Sequence, residues 1–206
     1  MTTLDFLAVD AKAAIARSPM EREAAAGGAR FALRDGWNVA VSYPDEANDD
    51  VVFADSSHLA KLELHGPHDL EMGVAERRDG AWWCPVTPTR ALVIGEAVPP
   101  LEGAVDVTTS YAALTIAGPL ARELFARFCA LELRPQSAPP RAFRPGSVAR
   151  TPGYVLRENG DRFLMLFGWA LGRYMWETVA DAAEHLGGGP VGIDGLAPLE
   201  EELAHA

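Results

Sequence analysis

Long apolar segments are absent from this sequence of 206 residues. No stretch approaches the roughly 20 consecutive apolar residues that a helix needs to cross a bilayer. The N-terminal sequence MTTLDFLAVDAKAAIARS also lacks the basic start followed by an apolar run that marks a secretory signal. We therefore expect a cytoplasmic protein with no membrane partner.

Cysteine is also scarce. Cys84 and Cys129 are the two cysteines of the sequence, and each has apolar or aromatic neighbours. Neither belongs to a CxxC pair or lies near a pair of histidines, so the pattern predicts no metal site. Because free cysteine usually behaves as a small core residue, we expect two buried, reduced thiols.

Basic residues are outnumbered. The sequence has 18 Lys and Arg against 29 Asp and Glu, and the net charge of −11 is spread along the chain. Proteins that bind a phosphate backbone concentrate positive charge on one surface, so nucleic acid is not an expected partner. With 49% hydrophobic and 23% charged residues, the composition is that of a globular protein with a packed core.

Short strands separated by turns dominate the pattern. Asp35-Gly36 predicts a hairpin turn, and Asn159-Gly160 predicts a turn between strands at 147–156 and 162–167. At residues 60–65, Leu62 and Leu64 alternate with polar residues, namely Lys61, Glu63 and His65. This alternation predicts that the polar face of the strand is in water.

Helical segments are few. Residues 120–130 carry an apolar face, made of Leu120, Leu124, Phe125 and Phe128. Residues 170–186 form a second predicted helix, with core candidates Tyr174, Val179 and Ala182. Residues 1–29 are predicted as an N-terminal helical extension, and four prolines within 135–145 predict a loop. Strands broken by single helices indicate an α+β fold with mostly antiparallel sheets and helices packed on one face.

Several segments carry a family resemblance. In order along the chain they are residues 18–43 with GGARFALRDGWNVAVSY at 27–43, DSSHLAKLELHG at 55–66, YAALTIAGP at 111–119, RTPGYVLRE at 150–158, MWE at 175–177 and PVG at 190–192. Together they resemble the folate-binding aminomethyltransferase family, which includes the glycine-cleavage enzyme and the folate-type subunits of heterotetrameric sarcosine oxidases. The resemblance implies that residues 30–206 form a single folate-binding-type domain.

The chain departs from the family at four places. Residues 67–80 leave no room for the strand pair that carries the family's catalytic aspartate, and the sequence stops before the further domains of catalytic members. Glu158 lies in a segment with one residue more than the family's GYTGED, and Leu196 stands where an arginine is expected. The sequence is therefore most similar to the gamma subunit of heterotetrameric sarcosine oxidase.

The resemblance implies a function and a rival one. It implies a component with no catalytic residue and no flavin of its own, within a folate-linked, amine-oxidising flavoenzyme complex of one-carbon metabolism. The expected partner is a larger flavoprotein subunit, or else a second copy in a homodimer. The alternative is a stand-alone tetrahydrofolate-binding protein or tetrahydrofolate-dependent aminomethyl or methyl transferase. A structural adaptor with no ligand is a third interpretation.

Three residues are the predicted tetrahydrofolate site. In the family, the glutamate that matches Glu158 lies against the flat edge of the pterin, where a carboxylate accepts two hydrogen bonds. Tyr154 would stack on the pterin or form a hydrogen bond with it, and Arg150 would pair with Glu158 or reach the glutamyl tail. The structural alternatives are a solvated carboxylate in a hairpin tip, an aromatic in cross-strand packing and a surface arginine.

Two further groups invite a functional interpretation. Asp55 and His58, in DSSH, suggest a base with an orienting carboxylate or a metal pair, but the lack of further ligands favours a structural histidine. Phe167, Trp169 and Tyr174 lie at a strand-to-helix junction, and partly exposed aromatic residues often anchor protein contacts. We expect this aromatic group to form part of a partner surface.

Overall fold

The computed structural model describes residues 14–44 and 50–196. These residues form three sheets and three α-helices. The helices are α1 (Glu21–Ala26), α2 (Ala121–Ala126) and α3 (Gly172–Glu184). The strands are β1 (Ala16–Arg17), β2 (Arg30–Arg34), β3 (Trp37–Ser42), β4 (Val52–Asp55), β5 (Ala60–His65), β6 (Glu76–Arg78), β7 (Ala81–Thr87), β8 (Arg90–Gly95), β9 (Val105–Asp106), β10 (Tyr111–Ala117), β11 (Phe143–Val148), β12 (Thr151–Asn159), β13 (Arg162–Gly168) and β14 (Gly189–Pro190).

A six-stranded sheet lies at the centre, in the order β11-β12-β13-β10-β4-β14. An outer five-stranded sheet has the order β6-β7-β8-β5-β9, and a small sheet has the order β1-β3-β2. Neighbouring strands are antiparallel except for the short pairs β1 with β3 and β14 with β4. The predicted α+β class with mostly antiparallel sheets is confirmed.

The two faces of the central sheet pack against different layers. Because side chains alternate along a strand, Phe163, Met165 and Phe167 of β13 face the helices, whereas Leu164 and Leu166 face the outer sheet. The helix side contains the larger core, to which α2 and α3 contribute Leu124, Phe125, Met175, Trp176 and Val179. The helices thus lie on one face of the central sheet, as predicted.

The N-terminal part of the described chain joins this core. Residues 14–29 contain β1 and α1, and Met20 and Ala24 are buried among the residues of the helix side. Residues 1–13 of the predicted helical extension lie outside the described residues. No helix in 14–44 or 50–196 is long and apolar enough to cross a membrane.

The predicted strand at 147–156 is wrong in its bounds. The structure has a hairpin instead, in which β11 and β12 are joined by a turn at Ala149 and Arg150 with φ of 44° and 65°. Neither residue is Gly or Asn, so this turn carries no local sequence signal. β11 also begins inside the predicted proline loop, and it tolerates Pro145 because it is an edge strand.

Several side chains differ from their predicted environment. Lys61 is 0% exposed, so the polar face of β5 is not in water at this position. Tyr174 is 45% exposed and is not a core residue of α3, because it lies on the side of the helix away from Met175 and Val179. Phe167 is 0% exposed, because it points into the helix-side core rather than towards a partner surface. Both cysteines are free thiols, Cys84 buried and Cys129 partly buried.

Candidate functional site

A cleft of about 550 Å³ opens where the three sheets meet. Its apolar part includes Leu59, Trp82, Ile94, Leu164, Ile193 and Leu196. Its polar part includes Arg34, Ser56, Arg77, Asp79, Glu96, Thr115, Glu158, Arg162 and Asp194. Clefts of roughly 300 to 1,000 Å³ with an apolar lining and a few polar groups are the usual binding sites for small ligands.

Glu158 is the buried carboxylate of this cleft, only 4% exposed. One oxygen accepts a hydrogen bond from the indole Nε1 of Trp82 at 3.0 Å, and the other accepts one from Nε of Arg162 at 3.0 Å. The side chain therefore connects β12, β13 and the outer-sheet strand β7. Both of its oxygens have a partner within the chain.

A β-bulge directs Glu158 into the cleft. The pairing of β12 with β13 shifts register between Arg157 and Asn159, which face Phe163 and Arg162 respectively. Glu158 is the extra residue at this shift, and bulges commonly redirect a side chain in this way.

Tyr154 lies on the same strand but does not line the cleft. Its ring stacks on Phe143 with centroids 5.5 Å apart and meets Tyr111 edge-on at 5.8 Å. Its hydroxyl accepts a hydrogen bond from Nη2 of Arg90 at 3.2 Å. Burial, followed by the Tyr154 hydroxyl, raises the pKa of Tyr111 to about 12. Tyr154 is therefore part of the packing between the central and outer sheets.

Arg150 lies far from the cleft. It occupies the turn before β12 with a positive φ and is exposed. Glu158 is eight residue steps further along the chain, which corresponds to roughly 26 Å in an extended strand. The structure does not bring Arg150, Tyr154 and Glu158 together. Their role in folate binding stays a prediction, with Glu158 the one that lines the cleft.

A second polar cluster lies beneath the turn between β4 and β5. Burial lowers the pKa of Lys61 from 10.5 to about 8, although Asp55 and Asp106 oppose the shift. Burial raises the pKa of the Asp55 carboxyl despite its hydrogen bonds with Ser18 and Ser57. Burial, followed by the charge of Lys61, lowers the pKa of His58 to about 4, so its imidazole is neutral at pH 7.

Two residues of the DSSH segment, Asp55 and His58, lie at a small cavity outside the cleft. Asp55 and His58 line a cavity of about 10 Å³ together with Ser18 and Asn38, room for about one water molecule. Among the described residues, no group of three or more His, Cys, Asp or Glu side chains is arranged to hold a metal ion. The interpretation of His58 as a structural residue stays a prediction.

Sequence reasoning missed most of the cleft. Arg162 enters the sequence analysis only as the first residue of the predicted strand at 162–167. The opposite charges of Glu158 and Arg162 on either side of the predicted Asn159-Gly160 turn are an available signal, because residues that flank a hairpin turn lie close together on neighbouring strands. The contribution of Trp82 had no sequence signal, since it comes from a different sheet.

Comparison with known proteins gives structural matches without sequence matches. No family model and no curated protein matches the sequence. A chain of the heterotetrameric sarcosine oxidase from Corynebacterium sp. U-96, in complex with pyrrole 2-carboxylate, matches with a TM-score of 0.67 and 16% identity. The match covers 85% of this chain and 98% of that one.

The glycine cleavage system aminomethyltransferase T from Bartonella henselae matches with a TM-score of 0.68 and 15% identity. Here the match covers 88% of this chain and 60% of that one, so the present chain spans little more than half of the transferase. At such identities the likeness defines the fold. The chain has the folate-binding aminomethyltransferase-like fold, as the resemblance in its sequence predicted.

Proposed function

We propose that this chain is a non-catalytic component of a folate-linked, amine-oxidising flavoenzyme complex, similar in role to the gamma subunit of heterotetrameric sarcosine oxidase. The observation that carries the proposal is the extent of the match to the sarcosine oxidase chain, 98% of whose length is covered. The two chains are thus of similar length, whereas the aminomethyltransferase is matched over 60%. In this proposal the complex is cytoplasmic and the partner is a larger flavoprotein subunit.

The state of Glu158 supports a role without catalysis. Trp82 and Arg162 already donate to its two oxygens, so a pterin edge would have to compete with both of them. Leu196, which lines the cleft where the resemblance expects an arginine, offers neither a charge nor a hydrogen bond from its side chain. A ligand that relied on these two positions would therefore lose two charge-assisted contacts.

We assign the partner contact to the surface around Trp169 and Tyr174. Trp169 is partly buried and packs on Trp37 with ring centroids 6.0 Å apart, and Tyr174 is 45% exposed. The Tyr174 hydroxyl donates to the carbonyl of Ala149 at 3.0 Å, which holds the ring in place. Tyrosine and tryptophan held rigidly at a surface are the residue types that dominate contact energies. Without the flavoprotein subunit, the same surface would favour a homodimer.

The second candidate function is the stand-alone tetrahydrofolate-binding protein or tetrahydrofolate-dependent transferase. The observation in its favour is the cleft itself, whose volume suits a small ligand and whose lining includes Glu158 and Trp82. Of the three residues that the resemblance assigns to folate, Glu158 lies in the cleft, whereas Tyr154 and Arg150 lie outside it.

Calorimetry with 5-formyltetrahydrofolate on the purified chain separates the two candidates. The subunit proposal predicts weak or no binding and no folate-dependent transfer, because the missing arginine contact alone typically reduces affinity roughly a hundredfold. A micromolar dissociation constant that Glu158→Gln weakens at least about tenfold, with Glu132→Gln as an unaffected control, would instead favour the second candidate. Glu132 is a suitable control because it is exposed and does not line the cleft.

A further inference from the structure

Lys61 is an unusual residue for this chain. It is one of two lysines in the sequence and the only one among the described residues. Its side chain is fully buried, and its Nζ donates to the carbonyl oxygens of Ser57 at 2.9 Å and Leu59 at 2.7 Å. Both carbonyls belong to the turn of residues 56–59, which carries the chain from β4 of the central sheet to β5 of the outer sheet.

The 56–59 turn is also a wall of the cleft. Ser56 and Leu59 line the cleft, and the Ser56 hydroxyl lies 2.6 Å from the hydroxyl of Thr115, another lining residue. Within the turn, the amide of Leu59 donates to the carbonyl of Ser56 at 3.1 Å. The amide of Ser57 donates to the Asp55 carboxylate at 2.9 Å. Lys61 itself does not line the cleft, so it acts on the cleft only through the turn.

The surroundings of Lys61 stabilise its charge only in part. The charged groups that act on it are Asp55 on β4 and Asp106 at the end of β9, and His58 in the turn is neutral at pH 7. Arg34 on β2 acts on His58. A buried ammonium costs stability that an apolar side chain of the same length would not cost. The ammonium group forms two hydrogen bonds to the turn, which an apolar side chain could not form.

We propose that Lys61 is the positioning residue of the cleft: its ammonium group holds the 56–59 turn from beneath and so fixes the wall that Ser56 and Leu59 contribute. This role does not depend on which ligand or partner occupies the cleft. Lys61 would thus affect the shape of the candidate site through the turn that joins the central and outer sheets.

Amide hydrogen exchange measured by NMR tests the proposal with Lys61→Met. The expected result is exchange at Ser56 and Leu59 that is at least about tenfold faster than in the wild type, with smaller changes in β13 and α3. Val179→Ala, which opens a cavity in the helix-side core, is the control for general destabilisation. The proposal is overturned if the turn stays as protected as in the wild type, or if both variants accelerate exchange at the turn equally.

A titration of the wild-type protein gives a second test, which holds even if Lys61→Met does not fold. With two lysines, a ¹³Cε-lysine label gives two signals, and Lys12→Arg identifies that of Lys61. The expected result is that the ¹³C shifts of the Ser57 and Leu59 carbonyls titrate with the same midpoint as the Lys61 signal. Carbonyl shifts that stay constant through that midpoint would overturn the proposal.

Discussion

Lys61 shows at the scale of one residue how burial makes stability depend on pH. Its pKa in the folded chain is about 8, below the ordinary 10.5, so between these values the unfolded chain binds more protons than the folded chain. Stability therefore rises with pH through this window. We predict that the free energy of unfolding of the wild type, minus that of Lys61→Met, increases by roughly 3 kcal/mol from pH 8 to 10.5.

Urea unfolding at a series of pH values measures this difference. Subtracting the variant removes the contributions of other groups that titrate at high pH, such as Tyr111, whose raised pKa acts in the opposite direction. If the difference in the free energy of unfolding stays constant between pH 8 and 10.5, the pKa of Lys61 is not lowered by folding and the prediction is wrong.

The same residue shows what a sequence pattern leaves open. Alternation along β5 indicated which residues share a face, but it did not indicate what covers that face. The solvent exposure of these polar side chains increases along the strand: Lys61 is 0% exposed, Glu63 is partly buried and His65 is exposed. The first polar residue is enclosed where its ammonium group donates to carbonyls of the 56–59 turn, and no local pattern encodes the position of that turn.

At the scale of elements, Glu158 ties β12 and β13 to the outer-sheet strand β7. We predict that Glu158→Gln lowers the free energy of unfolding by about 2 to 4 kcal/mol, because a neutral amide cannot replace the buried, charge-assisted contact of the carboxylate with Nε of Arg162. The amide oxygen of glutamine still accepts from Trp82, so the loss reflects the ion pair. Denaturant unfolding of the two proteins gives the difference.

The matched control is Glu132→Gln. Glu132 also pairs with an arginine, Arg134 at 2.5 Å, but both side chains are exposed, and such pairs contribute little because water screens them. Equal stability changes in the two variants would contradict the structural role assigned to Glu158.

Elements with local signals were predictable, and those set by distant contacts were not. The bounds of β5 were predicted as observed, and the Asp35-Gly36 turn joins β2 to β3 as expected, since φ is positive at both residues and Asp-Gly favours that conformation. The Ala149-Arg150 turn has positive φ at residues that disfavour it. There the pairing of β11 with β12 overrides local preference.

At the scale of the whole molecule, the family resemblance predicted the fold, and of the three residues that it assigns to folate, Glu158 is the one that lines the cleft. It did not predict the partners of Glu158, because Trp82 belongs to another sheet and reaches the site only through packing. Nor did it distinguish exposed from buried aromatics at the junction of β13 and α3, where Phe167 is enclosed and Tyr174 is not. Burial at this junction depends on how α3 lies on the sheet, which no local pattern encodes.

The most direct test of the subunit proposal is the mass and flavin content of the assembly formed when this chain is co-expressed with the larger flavoprotein subunit that the proposal requires. Native mass spectrometry and flavin absorbance are measured on the purified wild type and on Trp169→Ala. The account predicts a flavin-containing heteromer with the wild type, which Trp169→Ala weakens or abolishes. A flavin-free, monodisperse monomer after co-expression would contradict it.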